Sequence, residues 1–396
     1  MAGTIDAAEA AAGAVEPGDV LRFARALITV PSENPGGTED GVATVAAEIL
    51  AGLGAAPEIV RSDEQRPSVL ATVGGPGTAS LAWNGHLDVV PAGSLDTWSH
   101  PPFAGDVASG KLIGRGAADM KGPIAAAMAA FAGIRRAGIA LGGSLTYHLA
   151  ADEEFGGVHG TKVLWERGLL TQDAAVVGEP SELTLGLAER GGAMVVATAF
   201  GKAAHGSQPH RGVNAITSMA RFLMRLEEVL PDLEHPLAGR PTVNAAMIEG
   251  GSAPNVVPDR CSVEIDRRLI PGETDQDAVL GSFRDLADSL HADREEIDLR
   301  FEIREWAEPA ETDPGSEIAR VARGVVEAET GRRAVDTGFT GITDARFYIN
   351  GAHIPTVILG PGSLTVAHTA DEWVDVGELV AGARIYARLF VGFLGA

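Results

Sequence analysis

Helical periodicity and short apolar runs take turns along the first half of the chain. Val20, Leu21, Ala24 and Leu27 recur at helical spacing within Gly18 to Val30. Pro31 to Gly37 is a loop, and Thr38-Glu39-Asp40 opens a helix over Val42 to Leu53, stopped at Gly54. Apolar runs of strand length follow at Ile59–Arg61, Val69–Val73 and Leu81–Asn84. The stretch from Ala92 to Gly116, with Trp98, Pro101, Pro102 and Phe103, reads as a hairpin or long loop. Pro123 suits the first turn of a helix reaching Ala137. Ser144–Leu149 and Ala174–Val177 read as strands, with a helix over Val158–Arg167 between them. Such alternation predicts an α/β fold with a mostly parallel sheet and helices on both faces.

After Gly192 the order changes. A strand at Ala193–Phe200 precedes a helix at Val213–Leu230 and strands at Thr242–Ile248 and Cys261–Leu269. A helix at Asp275–His291 and a strand at Ile297–Ile303 complete a β-α-β-β-α-β unit of ferredoxin-like type. The first pattern then resumes, with a helix at Ser316–Thr330, a Gly/Thr loop at 337–344, a helix at Ala345–Ile349, a strand at Pro355–Leu359 and a closing helix at Val376–Phe393. The expected organisation is a first domain of residues 1–190 and 305–396, interrupted by an inserted α+β domain of residues 191–304.

The 396 residues are 45% hydrophobic, enough for sizeable cores, and the formal net charge of −23 argues against nucleic acid or anionic membranes as partners. Cys261 is alone, so no internal disulfide forms, which fits a reducing compartment. Met1 to Asp19 is Ala-rich and acidic, without a basic, apolar targeting pattern. The longest uncharged apolar stretch, Gly122 to Ile134, is too short to span a bilayer and reads as a buried helix. A cytoplasmic location is expected.

Candidate chemistry sits where these elements end. His86 and Asp88 close the run Ser80–Trp83, a placement that suits an imidazole facing a metal with a carboxylate beside it. Glu154, in Asp152-Glu153-Glu154, and Glu179, in Gly178-Glu179-Pro180, also end strands, while Asp119 precedes a helix. Each has a plainer reading: Asp119 as a helix N-cap, the three acids as a solvated turn. In parallel sheets, however, sites form at the carboxyl ends of strands. His86, His368, Asp119, Glu154 and Glu179 make five ligands, a set suited to two divalent ions about 3.5–4 Å apart with one bridging carboxylate. Zinc suits the mixed N/O donors, with manganese or cobalt as alternatives. Glu153 cannot share a metal with Glu154 in an extended chain and is left to serve as the general base.

These motifs resemble a known family, the dinuclear-zinc amidohydrolases and peptidases that include acetylornithine deacetylase, succinyl-diaminopimelate desuccinylase, aminoacylase and glutamate carboxypeptidase. The resemblance rests on Gly85-His86-Leu87-Asp88-Val89-Val90-Pro91, Gly114-Arg115-Gly116 through Asp119-Met120-Lys121-Gly122, Asp152-Glu153-Glu154 with Gly156-Gly157, Gly178-Glu179-Pro180 and the late His368, in family order. It implies that Asp119 bridges the metals, that His86 and Glu179 hold one and Glu154 and His368 the other. It also implies that Asp88 orients His86 and that Glu153 is the general base and acid. The inserted domain matches the family's lid, which also serves dimerisation. There His205, in Lys202-Ala203-Ala204-His205-Gly206, would polarise the scissile carbonyl, and Asn255 and Arg268 would bind a substrate carboxylate. The lid is expected to close over the substrate.

The implied activity is metal-dependent hydrolysis of the amide of a small N-acyl amino acid. Glu at position 179, rather than Asp, resembles the deacylases. A dipeptidase or carboxypeptidase is the alternative. The remaining histidines, His100, His148, His159, His210, His235, His291 and His353, read as structural or surface residues.

Overall fold

The computed structural model describes residues 2–62, 66–75, 77–293 and 297–396. The chain divides into two compact units. The first comprises Met1–Leu187, Thr312–Phe339 and Thr343–Ala396, the second Ala188–Glu311 with Thr340–Ile342.

Four mutually parallel strands form the centre of the first unit's sheet, in the order Ser144–Ala150, Ser80–His86, Ala174–Val177 and Thr356–Ile358. Ser80–His86 is buried at every position from Leu81 on, the continuous apolar signature of a strand covered on both faces. The sheet extends antiparallel on one side through Pro67–Gly74 and Ala56–Arg61, because their connection is too short for a crossover. A strand at Asp336–Phe339, where the Gly/Thr loop is expected, pairs with Leu185–Glu189 at the other side.

One face of this sheet packs against helices Lys121–Arg136 and Val376–Leu394. Trp83 meets Tyr386 edge-on at 5.6 Å between ring centroids, and Tyr147 meets Phe390 at 6.5 Å. Lys121–Arg136 is Ala-rich, which favours the helix, and is buried from Lys121 to Ile134. On the opposite face Ala82 and Ala175 pack with Leu164, Leu170, Tyr348 and Ile354. The helix Ala2–Gly13 is an addition to the expected elements and packs on Val376–Leu394. Asp119 is not a helix cap: the N-cap of Lys121–Arg136 is Met120, without a side-chain cap bond.

The second unit is a four-stranded antiparallel sheet in the order Thr242–Gly250, Arg260–Leu269, Gly191–Phe200, Asp298–Ala307. Helices Ala215–Leu223 and Gln276–Asp293 pack against it, and the rings of Phe222, Phe283 and Phe301 meet at tilted angles between them. Alternation puts Cys261, Val263 and Ile265 into this core. The helix ends earlier than its periodicity suggests. A 3₁₀ turn, Leu226–Val229, continues the apolar spacing to Val229.

His148 lies in the first unit's core with Nδ1 2.7 Å from Tyr348 Oη. Burial lowers its imidazole to about 4. From an unfolded value near 6.5 down to that point, the unfolded chain takes up a proton the folded chain refuses, so stability falls as pH falls. The loss is expected to reach about 3 kcal/mol. Urea unfolding of chelator-treated protein between pH 7 and 4.5 checks this, with His148→Gln expected to show the flatter dependence.

Candidate metal centre

The parallel strands deliver the candidate ligands to one edge. His86 is the last residue of its strand, Glu179 lies two residues after Ala174–Val177, and Glu154 stands in the 3₁₀ turn Glu153–Phe155 beyond Ser144–Ala150. His368 lies in the segment between Thr356–Ile358 and Trp373–Asp375. Asp152 and His368 adopt φ of 64° and 62°, a left-handed backbone that non-glycine residues hold only where surrounding contacts enforce it.

Asp119 stands between the two imidazoles, Oδ1 3.0 Å from His86 Nε2 and Oδ2 3.4 Å from His368 Nε2. Glu179 Oε1 lies 3.7 Å from His86 Nε2, and Glu154 Oε2 lies 3.1 Å from His368 Nε2. The donors thus form two groups, His86–Asp119–Glu179 and Asp119–Glu154–His368, with the donor atoms of each within 4.8 Å of one another. Glu153 belongs to neither, although its Oε2 is 3.9 Å from His86 Nε2. The two adjacent acids part in a 3₁₀ turn, not in the extended chain that the sequence argument assumes.

The charges explain what such a site needs. Burial pushes Glu153 well above the usual carboxylate range; His86 opposes this, while Asp344, Glu154 and Asp119 add to it. Burial, then Asp119 and Glu153, raise Glu179 in the same way. Burial and Asp119 raise Glu154 against the pull of His368. Asp119 goes the other way: burial would raise it, but hydrogen bonds from His368 and His86 hold it low. Bonds to Asp119 and Glu154 lift His368 to about 10. The crowding thus raises the affinity of the three glutamates for positive charge, and bound divalent ions would supply that charge in place of protons. Three mixed N/O donors per group, sharing one carboxylate, fit two such ions and leave positions for water or substrate.

Asp88 holds the centre in two ways. Its main-chain carbonyl, 2.9 Å from His86 Nδ1, fixes the imidazole, while its carboxylate stands 3.7 Å from that nitrogen. The carboxylate instead accepts the main-chain N–H groups of Glu153 and Glu154, each at 3.1 Å, and Asn34 Nδ2 at 2.9 Å. Asn34 also donates to Asp152 Oδ1 at 3.0 Å and accepts from Arg66, which forks onto Glu39. No motif in the sequence marks Asn34, Glu39 or Arg66 as part of the centre. Asn34 sits in an unremarkable Pro/Asn/Gly loop, and only burial reveals its partners.

In the second unit, His205 and Asn255 come together. Their segments pair through His205 and Val256, and Gly206 N donates to Asn255 O at 2.7 Å. His205 is exposed, with Nδ1 2.8 Å from Ser207 Oγ. Arg268 is partly exposed and its Nε lies 3.0 Å from Asp266 Oδ1.

Comparison with known proteins agrees with this construction: a metallohydrolase built on a parallel sheet with an inserted α+β unit. Residues 82–391 match peptidase family M20/M25/M40. The chain belongs to that family and is a metal-dependent amidohydrolase. It is 31% identical over 382 residues to succinyl-diaminopimelate desuccinylase of Paracoccus denitrificans, covering 94% of this chain and 97% of that protein. The enzyme of the same name from Phenylobacterium zucineum is 31% identical over 387 residues, covering 95% and 98%. Among solved structures, a dinuclear metal binding peptidase of the M20 family from Bacillus subtilis shares the fold at a TM-score of 0.73 and 18% identity, covering 96% and 98%.

Chelator-stripped protein titrated with Co²⁺ is expected to saturate at two ions per chain. Glu154→Ala should saturate at one and Glu153→Ala at two, as measured by calorimetry.

Proposed function

We propose that the chain hydrolyses the amide bond of small N-acyl amino acids, as a deacylase of the desuccinylase and deacetylase type. The observation that carries this reading is a pair of three-residue donor groups sharing Asp119, with the partly buried Glu153 beside His86 and part of neither group. The desuccinylases that it resembles over nearly its whole length favour deacylation over peptide cleavage.

The proposed centre takes two divalent ions, zinc foremost, one held by His86 and Glu179, the other by Glu154 and His368, with Asp119 shared. When bound, such ions polarise a carbonyl and make a water acidic. Glu153 takes the proton of the attacking water on its carboxylate and returns it to the leaving nitrogen. Asp88 keeps Glu153 and Glu154 apart through their two main-chain N–H groups. We assign substrate contacts to the second unit: His205 as a donor to the carbonyl oxygen as charge develops there, Asn255 and Arg268 as partners of the substrate carboxylate. The same unit is the proposed homodimer contact. Its edge strand Thr242–Gly250 leaves Met247 65% and Ile248 61% exposed, and an unpaired strand edge invites a partner. A cytoplasmic location completes the reading. It fits the single buried cysteine, and among the described residues no helix is long and apolar enough to cross a membrane.

Assay of the Zn²⁺-loaded protein against N-succinyl, N-acetyl, N-formyl and N-carbamoyl amino acids beside dipeptides tests the reading. Turnover of an acyl amino acid is expected to exceed that of every dipeptide, and preference for a dipeptide would overturn the deacylase assignment. On the best substrate, Glu153→Ala should lower kcat by about 10²–10⁴-fold. His205→Ala should lower kcat far more than it raises KM, because its contact forms mainly in the transition state.

A further inference from the structure

Asp119 must offer one oxygen to each donor group, so its main chain has to be placed from outside the group. A side chain far along the sequence accepts a hydrogen bond from that main chain. Glu372 is fully buried, and its Oε1 accepts the N–H groups of Gly116 at 3.0 Å, Ala118 at 2.9 Å and Asp119 at 3.1 Å. Three main-chain N–H groups converging on one oxygen form an anion-binding concavity. Gly116 helps to shape it, at φ 88° and with Val89 and Lys121 against the space a side chain would fill. The other carboxylate oxygen, Oε2, accepts Arg115 Nη1 at 2.6 Å.

Arg115 is itself 2% exposed, and the same Nη1 reaches Thr369 O at 3.2 Å while Nη2 reaches Pro91 O at 3.3 Å. Thr369 follows His368, whose φ of 62° requires outside support. The backbone of Glu372 closes the circuit, because its carbonyl accepts Gly114 N at 2.9 Å. One carboxylate–guanidinium pair therefore grips the loop of Asp119 and the segment of His368 together.

We propose that Glu372, braced by Arg115, is the positioning residue that holds Asp119 and His368 in register, so that the group Asp119–Glu154–His368 is assembled before an ion arrives. The charge is as necessary as the shape. A glutamine could keep one carbonyl toward the three N–H groups, but its amide nitrogen would then face the Arg115 guanidinium. A buried ion pair is not in itself a source of stability, which leaves the placement of ligands as the consequence of this one. The assignment rests on the two-ion reading above.

The test uses the full chain, stripped with a chelator, as wild type, Glu372→Gln, Arg115→Lys and Glu273→Gln. The last breaks the buried Arg267–Glu273 pair of the second unit and serves as a control. Circular dichroism reports the apo fold, and calorimetry with Co²⁺, together with the cobalt absorption spectrum, reports ion binding. Wild type and Glu273→Gln are expected to bind alike. Glu372→Gln and Arg115→Lys should bind about 10–100-fold more weakly, with altered cobalt spectra and an unchanged apo fold. Wild-type affinity for both ions in a folded Glu372→Gln or Arg115→Lys variant would overturn the proposal. So would an equal loss in Glu273→Gln, or failure of both Glu372→Gln and Arg115→Lys to fold, since the pair would then support the fold and not the site. Absence of Co²⁺ binding in the wild type would overturn the two-ion reading itself.

Discussion

Crowded negative charge governs the architecture of the first unit. Asp119, Glu153, Glu154 and Glu179 share a largely buried space with His86, at the carboxyl ends of adjacent parallel strands. In water such groups would separate; here the strands prevent it. The imidazoles on either side of Asp119 hold it low, while burial and the neighbouring carboxylates raise the proton affinities of the three glutamates. The same charge makes the space suitable for divalent ions.

Around that charge lies a layer of groups that hold main chain instead of metal. The Asp88 carboxylate takes the N–H groups of Glu153 and Glu154, and Glu372 takes those of Gly116, Ala118 and Asp119. Each buried carboxylate has a further anchor, Asn34 for Asp88 and Arg115 for Glu372. Fixing backbone is an economical way to separate two adjacent acids. Once the N–H groups of Glu153 and Glu154 are placed and the turn is 3₁₀, their side chains must leave in different directions.

The second unit is built on other terms. Its core is apolar, centred on Phe222, Phe283 and Phe301, and the opposite sheet face carries Glu264, Asp266, Arg268 and Arg304. The segments of His205 and Asn255 lie together on exposed loops.

The candidate donors were legible in the chain because strands and turns are local. Apolar runs ending at His86, near Glu154 and before Glu179 point to one sheet edge, since parallel strands present their ends together. The second unit was legible for the same reason: alternation along Cys261–Leu269 and the order of elements define its sheet. The helix Ala2–Gly13 escaped because its alanines give little contrast between faces, and packing against Val376–Leu394 decides it. What holds the site escaped too. Asn34 and Asp88 stand 54 residues apart, Asp119 and Glu372 253. No periodicity links such positions, because a buried polar group is satisfied by whatever the folded chain brings within 3 Å, and only the tertiary structure settles that.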